Sequence, residues 1–236
     1  WLEFDELPST NDKAKELAEQ GDNGELWVVT AKKQTAGRGR LGRKWQGLEG
    51  NLFMSLAMPA DWANLNIYVF MSSLTLFNII KRLNNNINVK LELKWPNDVL
   101  LNGAKISGIL LEKAVRDYLI VGVGVNVKAS PAPEDTPYPT TNLAACGFDI
   151  DRLELLRYYL AEWDHNLTIW KEQGAAKIKN MWLKNAKGLN EEIMVNLGKR
   201  IEKGVFAGVD DSGALRLRQG CKEIKIMAGD IWFNED

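Results

Sequence analysis

The chain has 236 residues, 45% of them hydrophobic, and its 30 Lys and Arg nearly balance 31 Asp and Glu for a net charge of -1. That length and apolar content suffice for one large core, or a large domain with a small one. The charge balance excludes a general nucleic-acid binder, which needs a surplus of Lys and Arg on one face.

No apolar run in the sequence approaches the roughly 18 residues of a membrane span, and the start, WLEFDELPST, has neither the basic beginning nor the apolar centre of a secretory signal. A cytoplasmic protein without a membrane contact is the expectation. Cys146 and Cys221 have no metal-like spacing and read as unpaired thiols.

In chain order, STNDKAKELAEQG reads as a helix of about three turns, with Ser9 or Thr10 as N-cap, Asp12 in the first turn and Gly21 as the stop. ELWVVTA is a buried strand and NLFMSLAM another. Residues 65–83 carry apolar side chains at helical spacing and fade into the polar stop NNN. LELKW, DVLL, KISGILLE and YLIVGVGVNV are four consecutive strands, with Asn102 and Gly103 as a hairpin turn and Pro96, Asn97 and Asp98 as a second corner. Such a meander predicts a largely antiparallel sheet. ASPAPEDTPYPTTN, with four of the seven prolines, reads as a surface loop. Helices are expected over 149–173 and 175–186. Beyond 187 the pattern changes to short alternating strands broken by Gly and Asp, which predicts a division into domains 1–187 and 188–236, the second a small β-barrel.

Between the first two strands lies QTAGRGRLGRKWQG, residues 34–47, with Arg38, Arg40, Arg43 and Lys44 among four glycines. Gly37, Gly39 and Gly42 formally spell GxGxxG, but no helix is predicted to start there, and a dinucleotide site needs one to aim its N-terminus at pyrophosphate. A phosphate-binding P-loop fails too, since Arg43 and Lys44 stand where Lys and Ser/Thr belong. Glycines let a backbone wrap closely around a ligand, and Arg forks grip carboxylate or phosphate oxygens. No acidic residue lies between Glu25 and Glu49. The loop therefore reads either as a solvated hairpin tip or as a mobile ribbon that orders around an anion.

A second cluster favours the anion. KWPND, residues 94–98, sets a cation, a rigid corner, an amide and a carboxylate at a strand end, and Lys105 opens the otherwise apolar KISGILLE. Asp98 is the nearby carboxylate suited to a hard cation such as Mg²⁺, held jointly with substrate phosphates. Alone, the corner would read as an ordinary turn.

Together, STN at 9–11, QTAGRGRLGRKW at 34–45, KWPND at 94–98, KISGILLE at 105–112 and GVGVNV at 122–127 closely resemble the bacterial biotin protein ligases in order and spacing. The resemblance spans the whole chain. It implies an α+β fold: a mixed, largely antiparallel sheet flanked by helices, of the class II synthetase type, with a small C-terminal SH3-like β-barrel. It also implies ATP and Mg²⁺ as cofactors, biotin as substrate and a biotin carboxyl carrier protein as acceptor, the enzyme being a monomer or homodimer.

By the same resemblance Ser9, Thr10, Asn11 and Gln34 hydrogen-bond the biotin head group, and Arg38, Gly39 and Arg40 close over biotin and the adenylate. Lys105 binds the carboxylate and α-phosphate, with Gly108 nearby. Lys94, Arg43, Trp45, Asn97, Asp98 and Asn126 match positions near the nucleotide, triphosphate or metal. Lys105, Arg38, Arg40, Lys94 and Asp98 are the expected catalytic group. Gly108, Gly122 and Gly124 are expected to admit the ligand closely. The reaction needs no enzyme nucleophile, which suits a chain whose one histidine, His165, reads as structural or surface.

Relatives that repress transcription carry an N-terminal winged helix-turn-helix. Here the pattern begins by residue 9, so a non-regulatory form without DNA binding is expected. The tail GDIWFNED ends acidic, and no site residue is expected in the C-terminal domain. Two other readings stand beside this one: a lipoate protein ligase, which shares the acyl-adenylate logic, and a non-catalytic biotin-binding module, which would have no use for triphosphate-facing cations.

Overall fold

The computed structural model describes every residue except 23, 85–87, 116 and 234–236. The last two asparagines of the NNN stop and the acidic end of the tail lie outside the described residues.

The chain runs β1 (Leu2–Leu7), α1 (Thr10–Gln20), β2 (Trp27–Gln34), β3 (Leu52–Pro59), α2 (Leu65–Leu83), β4 (Leu91–Lys94), β5 (Asp98–Leu101), β6 (Ala104–Lys113) and β7 (Tyr118–Val125). Then come α3 (Arg152–Gln173), α4 (Ala175–Leu183), β8 (Glu192–Asn196), β9 (Ile201–Val209), β10 (Leu215–Gln219), β11 (Lys222–Ile226) and β12 (Asp230–Trp232). The first seven strands form one sheet in the order β1-β2-β3-β7-β6-β5-β4. Every pairing in it is antiparallel except β1 with β2, where Leu2 faces Val29.

The meander appears where the residues predict it. Asn102 and Gly103 both have positive φ, 51° and 79°, the conformation of the tight turn that matches strand twist. β1 escapes the sequence reading because LEFDEL is a mostly exposed edge strand without apolar alternation.

Alternation along the central strands decides where the site sits. On β7, Val121, Val123 and Val125 point into the main core beneath α2, α3 and α4, and on β3 Leu52, Met54, Leu56 and Met58 do the same. The intervening positions, Ile120 on β7 and Ala57 on β3, pack with Val29 and with Ala14 and Ala18 of α1 in a smaller cluster. Since side chains alternate across a strand, Ser55, Gly122 and Gly124 belong to this second face, α1's face. Residues 62–83 are long and apolar enough to cross a membrane, yet 67% of that window is buried inside the fold. It is the core helix on which α3 and α4 pack.

β8 to β12 form a second, five-stranded antiparallel sheet in the order β11-β10-β9-β8-β12. The expected barrel is here a sheet with β11 and β12 at its edges among the described residues. The second sheet is stitched to the first part. Trp95 Nε1 donates to Gly213 O at 3.0 Å, and Lys179 pairs with Asp211 at 2.6 Å.

Candidate functional site

The basic loop leaves β2 at Gln34, and Arg38 returns to bridge Lys44. Gly39 N–H donates to Arg43 O at 2.7 Å, and Trp45 N–H to Gly37 O at 3.0 Å. Between them is one 3-10 turn, Arg40–Gly42, with Leu41 and Gly42 at positive φ. No helix starts here, which bears out the rejection of a dinucleotide turn.

The cations are not left bare, contrary to what the local sequence implies. Arg38 forms a two-pronged pair with Asp12 at 2.7 and 2.6 Å and reaches Glu112 at 3.2 Å. Arg43 pairs with Asp230 of β12 at 2.6 Å. Burial works against the charge of Arg43, but the Asp230 carboxylate outweighs it and holds the guanidinium's pKa above its ordinary value. Neutralisation comes from residues 26 and 187 positions away, so no local window could reveal it. Lys44 is exposed and has no carboxylate partner among the described residues, and Arg40 is the exception among the arginines. Its Nη1 donates to the Asn97 amide oxygen at 3.2 Å, and burial lowers its pKa, only partly offset by Asp230 and Asp98. It is a half-buried cation that pairs with no carboxylate among the described residues.

Under this loop lie two chambers with a common wall. The first takes in Ser9, Thr10, Asn11 and Gln34 on one side, Arg38, Gly39 and Arg40 above, and Asn97, Asp98 and Gly108 opposite. The second takes in Asn126, Pro131, Asp135 and Thr140 and has a volume of about 350 Å³. Arg43, Lys44, Trp45, Lys105 and Tyr138 line both. The first holds about 60 Å³ of open space, against roughly 300 Å³ for a small-ligand pocket.

Lys105 stands at the junction. It is 9% exposed, its Nζ lies 2.7 Å from Asp98 Oδ1, and the rings of Trp45 and Tyr138 are 5.5 and 5.1 Å away. The contact to Asp98 is an ion pair between two largely buried side chains. The proline-rich loop does more than cover the surface. Lys105 N–H donates to Pro139 O at 2.9 Å and Thr141 N–H to Lys105 O at 3.0 Å, which fixes the backbone that carries the ammonium. Asn126 is held by donating to Thr141 O at 3.0 Å.

One wall of the first chamber is a run of polar groups, Ser9, Thr10 and Asn11 buried and Gln34 half-buried. Ser9 occupies the N-cap position of α1, but its side chain makes no capping bond and faces the first chamber. Thr10 N–H donates to Gln34 Oε1 at 2.7 Å. A Cβ on Gly122 would overlap Asn11 Oδ1, and one on Gly124 would come within 2.5 Å of the Trp45 ring. These glycines, and Gly108 beside Lys105 and Trp45, make room for the protein's own side chains, and all three line the first chamber.

Of the expected residues, Lys94 alone lines neither chamber; its Nζ lies 5.4 Å from the Phe233 ring centroid. Against expectation, Asp230 from the C-terminal sheet lines the first. His165 is exposed on α3, and both cysteines are free.

The fold sets one largely buried lysine, Lys105, between two adjoining chambers that also share Arg43 and Lys44. Comparison with known proteins narrows the class. Residues 3–126 match the model of the biotin/lipoate A/B protein ligase family, and residues 188–233 that of the biotin protein ligase C-terminal domain. The chain belongs to the biotin/lipoate A/B protein ligase family.

Within it the likeness is to the biotin branch. The biotin–[acetyl-CoA-carboxylase] ligase of Paracoccus denitrificans is 37% identical over 95% of this chain and 97% of that protein. The bifunctional ligase/repressor BirA of Bacillus subtilis is 33% identical over 96% of this chain and 72% of its own length. Among solved structures, the biotin protein ligase of Aquifex aeolicus in complex with biotin and ATP superposes with a TM-score of 0.82 at 30% identity, covering 98% of this chain and 97% of that one.

Proposed function

We propose that this chain is an ATP-dependent biotin protein ligase of the cytoplasm, with residues 1–187 as its catalytic part. A biotin carboxylate oxygen attacks the α-phosphorus of ATP, the bond to pyrophosphate breaks, and biotinyl-5′-AMP is left. A neutral lysine amine of a biotin carboxyl carrier protein then attacks the acyl carbon, AMP departs, and the nitrogen loses a proton. Neither step calls for a nucleophile from the enzyme. Both call for cations where two anions meet and negative charge develops.

The observation that carries this reading is the position of Lys105 in the wall between the chambers, with Arg40 uncompensated above it. Biotin's ring belongs in the first chamber against Ser9, Thr10, Asn11 and Gln34, the adenine against Trp45 in the second, and the reacting carboxylate and phosphate at Lys105. Among the described residues no cluster of three or more His, Cys, Asp or Glu could hold a metal. Asp98, a carboxylate in the lining of the first chamber, fits as a single ligand to a Mg²⁺ ion held mainly by the phosphates. That ion would supply neutralisation of triphosphate charge.

Mass measurement after incubation with Mg-ATP and each acid tests the reading: an adenylate forms from biotin and passes to a carrier lysine. An adenylate from lipoate but not biotin would establish the lipoate ligase reading instead, and biotin capture without any adenylate the binding module. A variant sharpens the nucleotide assignment. Gly124→Ala places a methyl group 2.5 Å from the Trp45 ring, and displacing the indole should raise the KM for ATP by about tenfold, the loss of roughly one base–aromatic stack. An unchanged KM would remove Trp45 from the adenine site.

A further inference from the structure

Glu112 ends β6 on the face shared by Gly108, and the reaction above gives it no part. Its Oε2 accepts from Asn11 Nδ2 at 2.6 Å and its Oε1 from Lys15 Nζ at 3.0 Å, while Arg38 approaches both oxygens. Burial alone would raise its pKa, but the bonds from Asn11 and Lys15 and the charges of Lys15 and Arg38 hold it below the ordinary value. At neutral pH Glu112 can therefore only accept.

This restriction propagates. An atom 2.6 Å from a carboxylate oxygen must be a donor, so the amide nitrogen of Asn11 faces Glu112 and Asn11 Oδ1 faces Ser55. Ser55 Oγ has one proton and two neighbours, Asn11 Oδ1 at 2.6 Å and Thr10 Oγ1 at 2.8 Å. Asn11 Oδ1 cannot donate, so the proton of Ser55 goes to it. Thr10 must then donate to Ser55, since the 2.8 Å contact between the two hydroxyls needs a proton that Ser55 does not supply. The backbone N–H of Thr10 already fixes Gln34 Oε1 as an acceptor, and Gln34 Nε2 remains as a donor. The chamber is thus left with lone pairs on Thr10 Oγ1 and N–H groups on Gln34. A ureido ring, with one carbonyl flanked by two N–H groups, needs that combination of acceptor and donor.

We propose that Glu112 is a positioning residue for the biotin ureido group, acting through Asn11 and Ser55 to fix the hydrogen-bond polarity that the Thr10 hydroxyl presents beside Gln34. The inference rests on the reading of the first chamber as the biotin site. Glu112→Gln keeps the shape but can donate as well as accept, which releases the direction of the whole chain.

Steady-state adenylate formation by the wild type, Glu112→Gln, Ser55→Ala, their double variant and Asp12→Asn tests it. Glu112→Gln and Ser55→Ala should each raise the KM for biotin about tenfold, with kcat and the KM for ATP within about threefold of wild type. The double variant should be no worse than about tenfold, because both changes cut one chain. Asp12→Asn removes Arg38's other anchor without touching the chain, and should leave the biotin KM within about twofold.

A wild-type biotin KM for Glu112→Gln overturns the inference, as does a multiplicative double variant. So does an Asp12→Asn shift equal to that of Glu112→Gln, which would route the effect through Arg38 and the loop. Should Glu112→Gln fail to fold, Ser55→Ala against Asp12→Asn decides by the same comparison. A wild type that forms no biotinyl adenylate fails earlier and overturns the site reading itself.

Discussion

Lys105→Ala is expected to lower the rate of adenylate formation by about 100- to 1,000-fold, the scale for removing one preorganised group that stabilises developing charge. Its ammonium is 9% exposed and enclosed by Trp45 and Tyr138, where a charge interaction is screened far less than in water. The fold should survive. The backbone of Lys105 is secured by Pro139 and Thr141, independent of its side chain, and Asp98 lines the first chamber, where water can solvate it. Pyrophosphate release at saturating biotin and ATP, with the thermal midpoint measured alongside, checks both halves. If turnover is retained, the junction of the chambers is not where carboxylate and phosphate meet.

The same site shows what the sequence could and could not reveal. STN, the glycine-borne arginines, KWPND and Lys105 were legible because each is a short run whose chemistry is concentrated locally, and all but Lys94 of the residues named from them line a chamber. Glu112 was in plain view as the charge ending KISGILLE, yet its partners Asn11, Lys15 and Arg38 lie 74 to 101 positions away, and only the fold brings them together. Ser55 looked like a filler in NLFMSLAM, and the face it belongs to depends on strand register. Tyr138 sat among prolines that signalled a loop and nothing more. Asp230 was the hardest to foresee: its tail reads as polar and acidic, while its role on Arg43 arises from how the second sheet docks.

That docking changes the meaning of the basic ribbon. With Arg38 engaged by Asp12 and Arg43 by Asp230, the loop is fastened at two points and its middle arginine, Arg40, carries the uncompensated charge. Exposed pairs of this kind contribute about 0–1 kcal/mol each, weak enough for phosphate oxygens to displace a carboxylate from a guanidinium. The acidic partners offset the charge of Arg38 and Arg43 and so reduce repulsion within the ribbon.

The second large effect concerns the layer behind the site. Trp182 of α4 is fully buried; its ring lies 4.7 Å from Phe70 of α2 and its Nε1 donates to Ser73 Oγ at 3.0 Å. Two residues beyond α4, Asn185 accepts from Leu93 N–H at 2.9 Å, and Lys187 N–H donates back to Leu93 O at 2.8 Å. Trp182 thus anchors the segment that borders β4, the strand leading into the 94–98 corner. Trp182→Ala is expected to cost about 3–5 kcal/mol through lost burial and an unfilled cavity. For a chain of this size that lowers the thermal midpoint by roughly 10 °C. No atom of Trp182 lines either chamber, so well below the new midpoint kcat should stay within about twofold of wild type, as befits a change that acts on stability alone. Calorimetry with parallel turnover at 15 and 37 °C would separate the two. An unshifted midpoint would mean that α4 does not brace the sheet, and a kcat lost at the lower temperature would mean that the corner holding Asn97 and Asp98 depends on that packing for its shape as well as its persistence.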